Sequence, residues 1–197
     1  SNGDSTGSFA QTGGTISTAG GAIAITNGDA DSGAGNVLLG AITAGGTSNI
    51  TVISREGSIL ENASNSSQLT SAGTITLSAG TGAGDGVGTL ANAINTTGAT
   101  LTASAGTGGI YIDEANGATI GTVTVTGASG DVLIQNVAAG NLTTTGVIST
   151  QGGNITVKSV SDLSVGANVT VSAGTGTISL TSDSNGDSTG SFAQTGG

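Results

Sequence analysis

At 197 residues the chain has the length of one or two globular domains, yet 38 residues are Gly, aromatics make up 2%, and Pro, Cys, Met, Trp and His are absent. This excludes a bulky globular core, which needs large side chains to supply buried area, and it closes off zinc sites and His-based nucleophilic triads. The net charge of −10, twelve acidic residues against Arg55 and Lys158 alone, argues against nucleic acid and anionic membrane surfaces as partners, because both need clustered Lys and Arg. No apolar run approaches the roughly 18 residues of a membrane-spanning helix.

Gly- and Ser-rich chains with few aromatics are commonly disordered. Here hydrophobic residues reach 35% and the mean hydropathy is +0.22, and the apolar residues are mostly β-branched or Leu in short alternating runs. Collagen is excluded by the lack of Pro and of a three-residue Gly period.

The chain opens on SNGDSTGSFAQTGG, residues 1–14, which returns without a change as residues 184–197, an offset of 183 (184 − 1). The chain is therefore read as one full period of a tandem array plus the start of the next. Residues 1–14 are the end of the preceding repeat or the start of the period. Residues 15–197 form one continuous repeat with no separate globular domain.

In chain order, runs with period-two alternation recur between Gly, Asn, Asp and Ser, a strand-and-turn pattern. Their apolar pairs are Ile23/Ile25, Ile50/Val52, Ile75/Leu77, Leu101/Ala103, Val132/Ile134, Ile155/Val157 and Ile178/Leu180. The spacings are 27, 25, 26, 31, 23 and 23 residues, and a closing step of 28 to the next copy of Ile23 completes 183 without remainder. Units of this size, each with several short strands, predict a β-solenoid.

The unit opening at Asn154 holds three strand candidates, NITVKSV, SDLSV and NVTVSAG; the one opening at Thr177 holds TISLTS and SFAQT, with GTIST supplied by residues 14–18 of the preceding copy. The predicted fold is all-β: a right-handed parallel β-helix of about seven three-stranded coils per 183-residue tandem repeat, with the hand taken from the general rule for parallel crossovers. Val, Ile, Leu and Ala suit the inside of a thin tube, and Gly suits tight corners. Pro is disfavoured where both strand edges are paired. Coils about 4.8 Å apart make the period roughly 34 Å tall, and its end faces need covering by further coils or caps. Residues 27–36, 61–67, 80–88 and 183–190 are placed as loops.

Runs such as GGTISTAGGAIAI, GTITLSAGTG and GSFAQTGGTIS resemble the β-helical shafts of filamentous haemagglutinin-type exoproteins and of the giant bacterial surface proteins similar to them. The resemblance covers the whole period and lies in its general pattern, with Gly-punctuated I-x-L or I-x-V triplets, few charges and tandem copies. It implies export to the bacterial cell surface and a role in adhesion, biofilm, sheath or filament formation. It carries no catalytic or binding residue onto any position.

Candidate sites come from the residues themselves. Asp183, Asn185 and Asp187 place oxygen ligands at alternate positions, as do Asn27, Asp29 and Asp31. Such sets bind Ca²⁺, and they equally serve turn chemistry. Ser188 and Gln194 stand where a calcium loop has Gly and a bidentate Glu. Apart from this candidate Ca²⁺, no cofactor is expected.

Outward Thr51, Thr74, Thr76, Thr100, Thr102, Thr156 and Thr177 would line one face, broken by Ala22, Ala24, Asp131 and Leu133, with Ser179 lacking the methyl. They read either as solvated strand positions or as an ice-binding surface. Asn49, Asn62, Asn65, Asn95, Asn141, Asn154 and Asn168 stand in N-x-[ST] sequons, of which Asn62 and Asn65, on a predicted loop, are the best glycosylation candidates. Asp113 and Glu114 beside Tyr111 form the one suggestive carboxylate cluster, but neighbours on a strand face opposite ways, so no enzyme is expected. The expected role is a structural extracellular module whose partners are neighbouring copies of itself. The alternative is an adhesin or binding module presenting loops or Thr faces to glycan, surface or ice.

Overall fold

The computed structural model describes residues 7–28, 35–62, 68–166 and 170–195. Among them the short alternating runs form twenty strands and no helix, and every strand pair is parallel. The chain is thus a β-solenoid of about seven turns. A parallel strand cannot return by a tight hairpin, so the chain goes round the tube and each strand lies on its predecessor one turn below.

The first coil holds β1 (Phe9–Ala10), β2 (Thr15–Thr18) and β3 (Ile23–Asn27), and the second β4 (Val37–Leu39), β5 (Ala41–Ala44) and β6 (Ile50–Ser54). The third combines β7 (Ile59–Glu61) with β8 (Gln68–Ser78), and the fourth β9 (Gly86–Val87) with β10 (Ile94–Ala105). The fifth combines β11 (Gly109–Glu114) with β12 (Ala118–Val125). The sixth has β13 (Val132–Asn136), β14 (Leu142–Thr144) and β15 (Ile148–Ser149), and the seventh β16 (Ile155–Lys158), β17 (Leu163–Val165) and β18 (Val171–Ser172). Above these lie β19 (Ile178–Thr181) and β20 (Phe192–Gln194). The strands expected in the units at Asn154 and Thr177 fall on β16 to β20, and GTIST falls on β2.

Alternation in sequence becomes alternation in burial: β6 and β13 both run buried, intermediate, buried, intermediate, buried. On the first face Phe9, Val37, Ile59, Val87, Ile110, Val132, Ile155 and Ile178 stack in one unbroken column. Fully burying an aliphatic such as Val37, Ile59 or Ile110 stabilises by about 1.5–3 kcal/mol, and the repeated register lets small branched side chains fill the tube. Corners are as tight as the faces. A Cβ on Gly153 would overlap the Gly130 carbonyl oxygen, and one on Gly176 would overlap that of Gly153, so three glycines stack where backbone meets backbone.

One step of the expected unit alignment is corrected. Leu101 and Ala103 do not sit beneath Val132 and Ile134. Leu101 pairs with Ile120 and Ala103 with Val123, while Val132 lies on Ile110. The 31-residue step therefore spans one coil and one extra face. The pairs from Ile23/Ile25 to Ile155/Val157 are buried as expected, and at the upper edge Ile178 is exposed above Ile155; those up to Leu101/Ala103 lie on the third face and those from Val132/Ile134 on the first.

The cross-section changes at this level. Thr96 pairs with Leu69 below and with Glu114 above, and the second half of β10 carries both halves of β12. The long strands β8 and β10 thus give way to β11, whose six residues lie over β9 and over the first half of β10. A turn at residues 88–93, closed by mutual backbone hydrogen bonds between Thr89 and Asn92, separates β9 from β10 at the change. Of the expected loops, residues 80–85 and 183–190 lie outside strands, whereas Asn27 ends β3 and Glu61 ends β7.

Candidate functional site: corner acceptors and the upper edge

The residue just before an inward pair stands at a corner, where its side chain can reach the backbone of the next coil. At the first-face corner Asp131 Oδ1 accepts from Asn154 N–H (2.7 Å), and Asn154 Oδ1 accepts from Thr177 N–H (3.0 Å) and from its hydroxyl (2.8 Å). Lower on the same face Ser8 Oγ accepts from Asn36 N–H (3.2 Å), Asn36 Oδ1 from Ser58 N–H (2.9 Å), and Ser58 Oγ from Gly86 N–H (3.1 Å). At the second-face corner Asn141 Oδ1 accepts from Asp162 N–H (3.2 Å), and Asp162 Oδ1 accepts from Ser191 N–H (2.9 Å) and hydroxyl (2.8 Å). The Ser191 hydroxyl and N–H hold the Asp162 carboxyl below its ordinary pKa. These acceptors satisfy amides that have no strand partner at the turn.

This arrangement reassigns several sequons. Asn49 and Asn141, like Asn154, use Oδ1 as a corner acceptor, Asn49 taking Thr74 N–H at 2.9 Å. Asn95 Nδ2 donates to Glu61 Oε1 (2.6 Å), and Asn62 Nδ2 donates to the Gln11 carbonyl (2.7 Å). The nitrogen a glycan would need on Asn62 is thus already engaged between coils. Asn65 and Asn168 lie outside the described residues. The signal for corner acceptors was present in the sequence as an Asn, Asp or Ser directly preceding the I-x-V triplet.

Of the candidate calcium ligands, Asp29 and Asp31 lie outside the described residues, and Asn27 donates through Nδ2 to the Gly7 carbonyl (3.0 Å). Asp183, Asn185 and Asp187 do come together, in one exposed turn. Both Asp183 carboxylate oxygens accept from Ser188 N–H (3.2 and 3.0 Å), Asn185 Nδ2 donates to Asp187 Oδ2 (2.8 Å), and Asp187 Oδ1 accepts from Thr189 N–H (2.9 Å) and hydroxyl (2.5 Å). Thr189 and Asn185 hold the Asp187 carboxyl below its ordinary pKa. The turn closes on its own donors. Asp183 and Ser188 both take positive φ, 51° and 67°. Among the described residues no group of three or more His, Cys, Asp or Glu is placed to hold a metal ion.

The Thr rows divide. Thr51, Thr76 and Thr102 stack on the third face, as do Thr74, Thr100 and Thr119. Thr102 donates to Thr76 (3.0 Å), and Ser78 and Ser104 share a hydrogen bond of 2.9 Å. Thr156 lies on the first face between Leu133 and Ser179, and Thr177 stands at that face's corner.

Asp113 and Glu114 point opposite ways, as the strand period requires. Asp113 takes a hydrogen bond from Gln135 Nε2 (2.8 Å) on the outside. Glu114 is 0% exposed, accepting from Thr96 Oγ1 (2.5 Å), Gly98 N–H (3.2 Å) and Asn116 N–H (3.3 Å). Burial pushes its carboxyl above the ordinary value despite these donors. Burial, with the Asp131 charge, likewise raises the nearby Tyr111 phenol. A buried carboxylate at the level where the cross-section changes was not legible in the sequence.

The upper edge presents what the lower coils cover. Phe192 is 47% exposed and Ile178 is 46% exposed, on strands whose lower sides pair with Leu163 and Ile155. No family model matches the chain, and comparisons with curated proteins and with solved structures find no match.

Proposed function

We propose that this chain is a structural module of an extracellular bacterial fibre, stalk or sheath, in which successive copies of the 183-residue period stack end to end as one β-helix. The observation that carries the reading is the repeated segment itself. Gln11, in its lower copy, is 6% exposed and bridges upward, Nε2 donating to the Ala41 carbonyl (2.9 Å) and Oε1 accepting from Gly40 N–H (3.2 Å). Gln194, the same residue one period on, is exposed at the upper edge. A following coil would bury it in the same way.

The partners are neighbouring copies along the axis, and the role needs no cofactor and no chemical step. Surface location, and kinship in kind with the shafts of filamentous haemagglutinin-type exoproteins, rest on the Gly-punctuated triplets and the acidic, Cys-free composition. A binding role for the shaft is the second reading, favoured by the flat hydroxyl face of Thr51, Thr76 and Thr102 beside Thr74, Thr100 and Thr119. The Thr76 and Thr102 hydroxyls already hydrogen-bond each other, which leaves fewer donors for a glycan or for ice.

Electron microscopy of the native assembly tests the structural reading. A continuous rod with an axial repeat of about 35 Å is expected, from coils about 4.8 Å apart. Compact separate particles would overturn it and bring the binding reading forward.

A further inference from the structure

The repeated segment occupies two different faces of the same solenoid. In its lower copy Phe9 and Ala10 lie beneath Val37 and Leu38, in the column that rises without a break to Ile178. In its upper copy Phe192 and Ala193 lie on Leu163 and Ser164, in the next column along the winding. The cause is a count. Among the described residues the first-face column climbs seven turns from Phe9 to Ile178, and β20 follows β19 round one more corner, onto β17. From one copy of the segment to the next, the described strands therefore make seven turns and one face over.

We infer that the upper edge formed by β19 and β20 is a docking surface for the first coils of a following identical copy, joined with an offset of one face, so that successive repeats present the same loops on different sides of the rod. This rests on the stacked-array reading above. The seat is specified residue by residue. Phe192 takes the equivalent of Val37, as Phe9 does. Ser191 takes the equivalent of Asn36, because Ser8 Oγ accepts from Asn36 N–H. The second-face line Asn141, Asp162, Ser191 thereby runs on into the line Ser8, Asn36, Ser58 of the next copy, with every corner amide still met by an oxygen from below. Ile178, on the first face, is left to the equivalent of Ile23, an inward position of the same kind.

The consequence is a fibre without a single functional side. The acidic turn at residues 183–190 would project from a different side in each copy, available to neighbouring shafts all round the axis.

The test is a chain of three or more successive periods carrying Ser184→Cys in each. Ser184 is exposed in the turn, and the sequence contains no other Cys, so one gold cluster per copy can be located by electron microscopy. Labels about 35 Å apart along the rod, on different sides in successive copies, are the expected result. Labels in line along one side of an intact rod would overturn the offset while leaving the fibre reading standing. Separate particles in place of a rod would overturn both. A reconstruction of the unlabelled array reads the same register directly, through the density of Phe192 beneath the equivalent of Val37 or beneath another residue.

Discussion

Asn154 Oδ1 receives two hydrogen bonds from Thr177, one from its backbone N–H and one from its hydroxyl, and so ties the seventh coil to the one above at a corner where no strand pairing exists. The same relation recurs between Asp162 and Ser191. Corners are where a solenoid would fray first, because strand pairing stops there while the backbone amides persist.

Asn154→Ala should therefore destabilise by about 1 kcal/mol, with the Thr177 amide exchanging its hydrogen faster while amides inside β16 change little. Asn154→Asp should retain most of the stability, since an aspartate already fills this role one coil below at Asp131. Amide exchange followed residue by residue checks both, and an unchanged Thr177 rate in the Ala variant would show that the corner bond does not protect that amide.

Glu114 should make stability fall as pH rises. Its folded pKa lies above its unfolded one because burial disfavours the charged form, so its contribution is fully present below the unfolded value near 4.5 and is lost as pH climbs through the raised folded value. Asp162 has the opposite sign: its lowered folded pKa contributes above the unfolded value and is lost on acidification. Thermal melts of the wild type and of Glu114→Gln, taken from below the ordinary aspartate value of 3.8 up to neutral pH, separate the two. The Gln variant should lose the decline on the alkaline side of 4.5 and keep the acid limb.

Gly153→Ala should cost about 1–3 kcal/mol, the usual cost of overpacking, since its Cβ would overlap the Gly130 carbonyl. Gly20→Ala, where nothing lies within 4 Å of the added Cβ, should be close to neutral. Denaturant midpoints for the pair decide the point, and equal effects would show that the glycine corner is not close-packed in solution.

Chelation should leave the acidic turn intact. Asp183 and Asp187 are closed by Ser188 and Thr189 donors, so EDTA is expected not to shift the melting temperature, whereas Thr189→Val should loosen the turn by removing a hydroxyl donor to Asp187. A melting temperature that drops with EDTA and recovers with Ca²⁺ would instead make these carboxylates ion ligands.

The all-β class, the parallel coil and the inward triplets were legible in the sequence, because period-two alternation decides which side chains face a narrow core and Gly marks where the backbone must crowd. The recurrence of residues 1–14 as residues 184–197 was legible as plain identity. The next rung above Leu101 was not. Ile120, Val123 and Val132 all belong to short alternating runs, and apolar alternation is degenerate between the faces of a tube. Only the packed corners choose among them, placing Ile120 and Val123 over β10 and adding one face to the count. The inward turn of Glu114, and the use of Asn154 as a corner acceptor instead of a bare turn residue, were settled in the same way. Each depends on the coil above or below, 18 and 23 residues away in sequence, and local pattern carries no record of that neighbour.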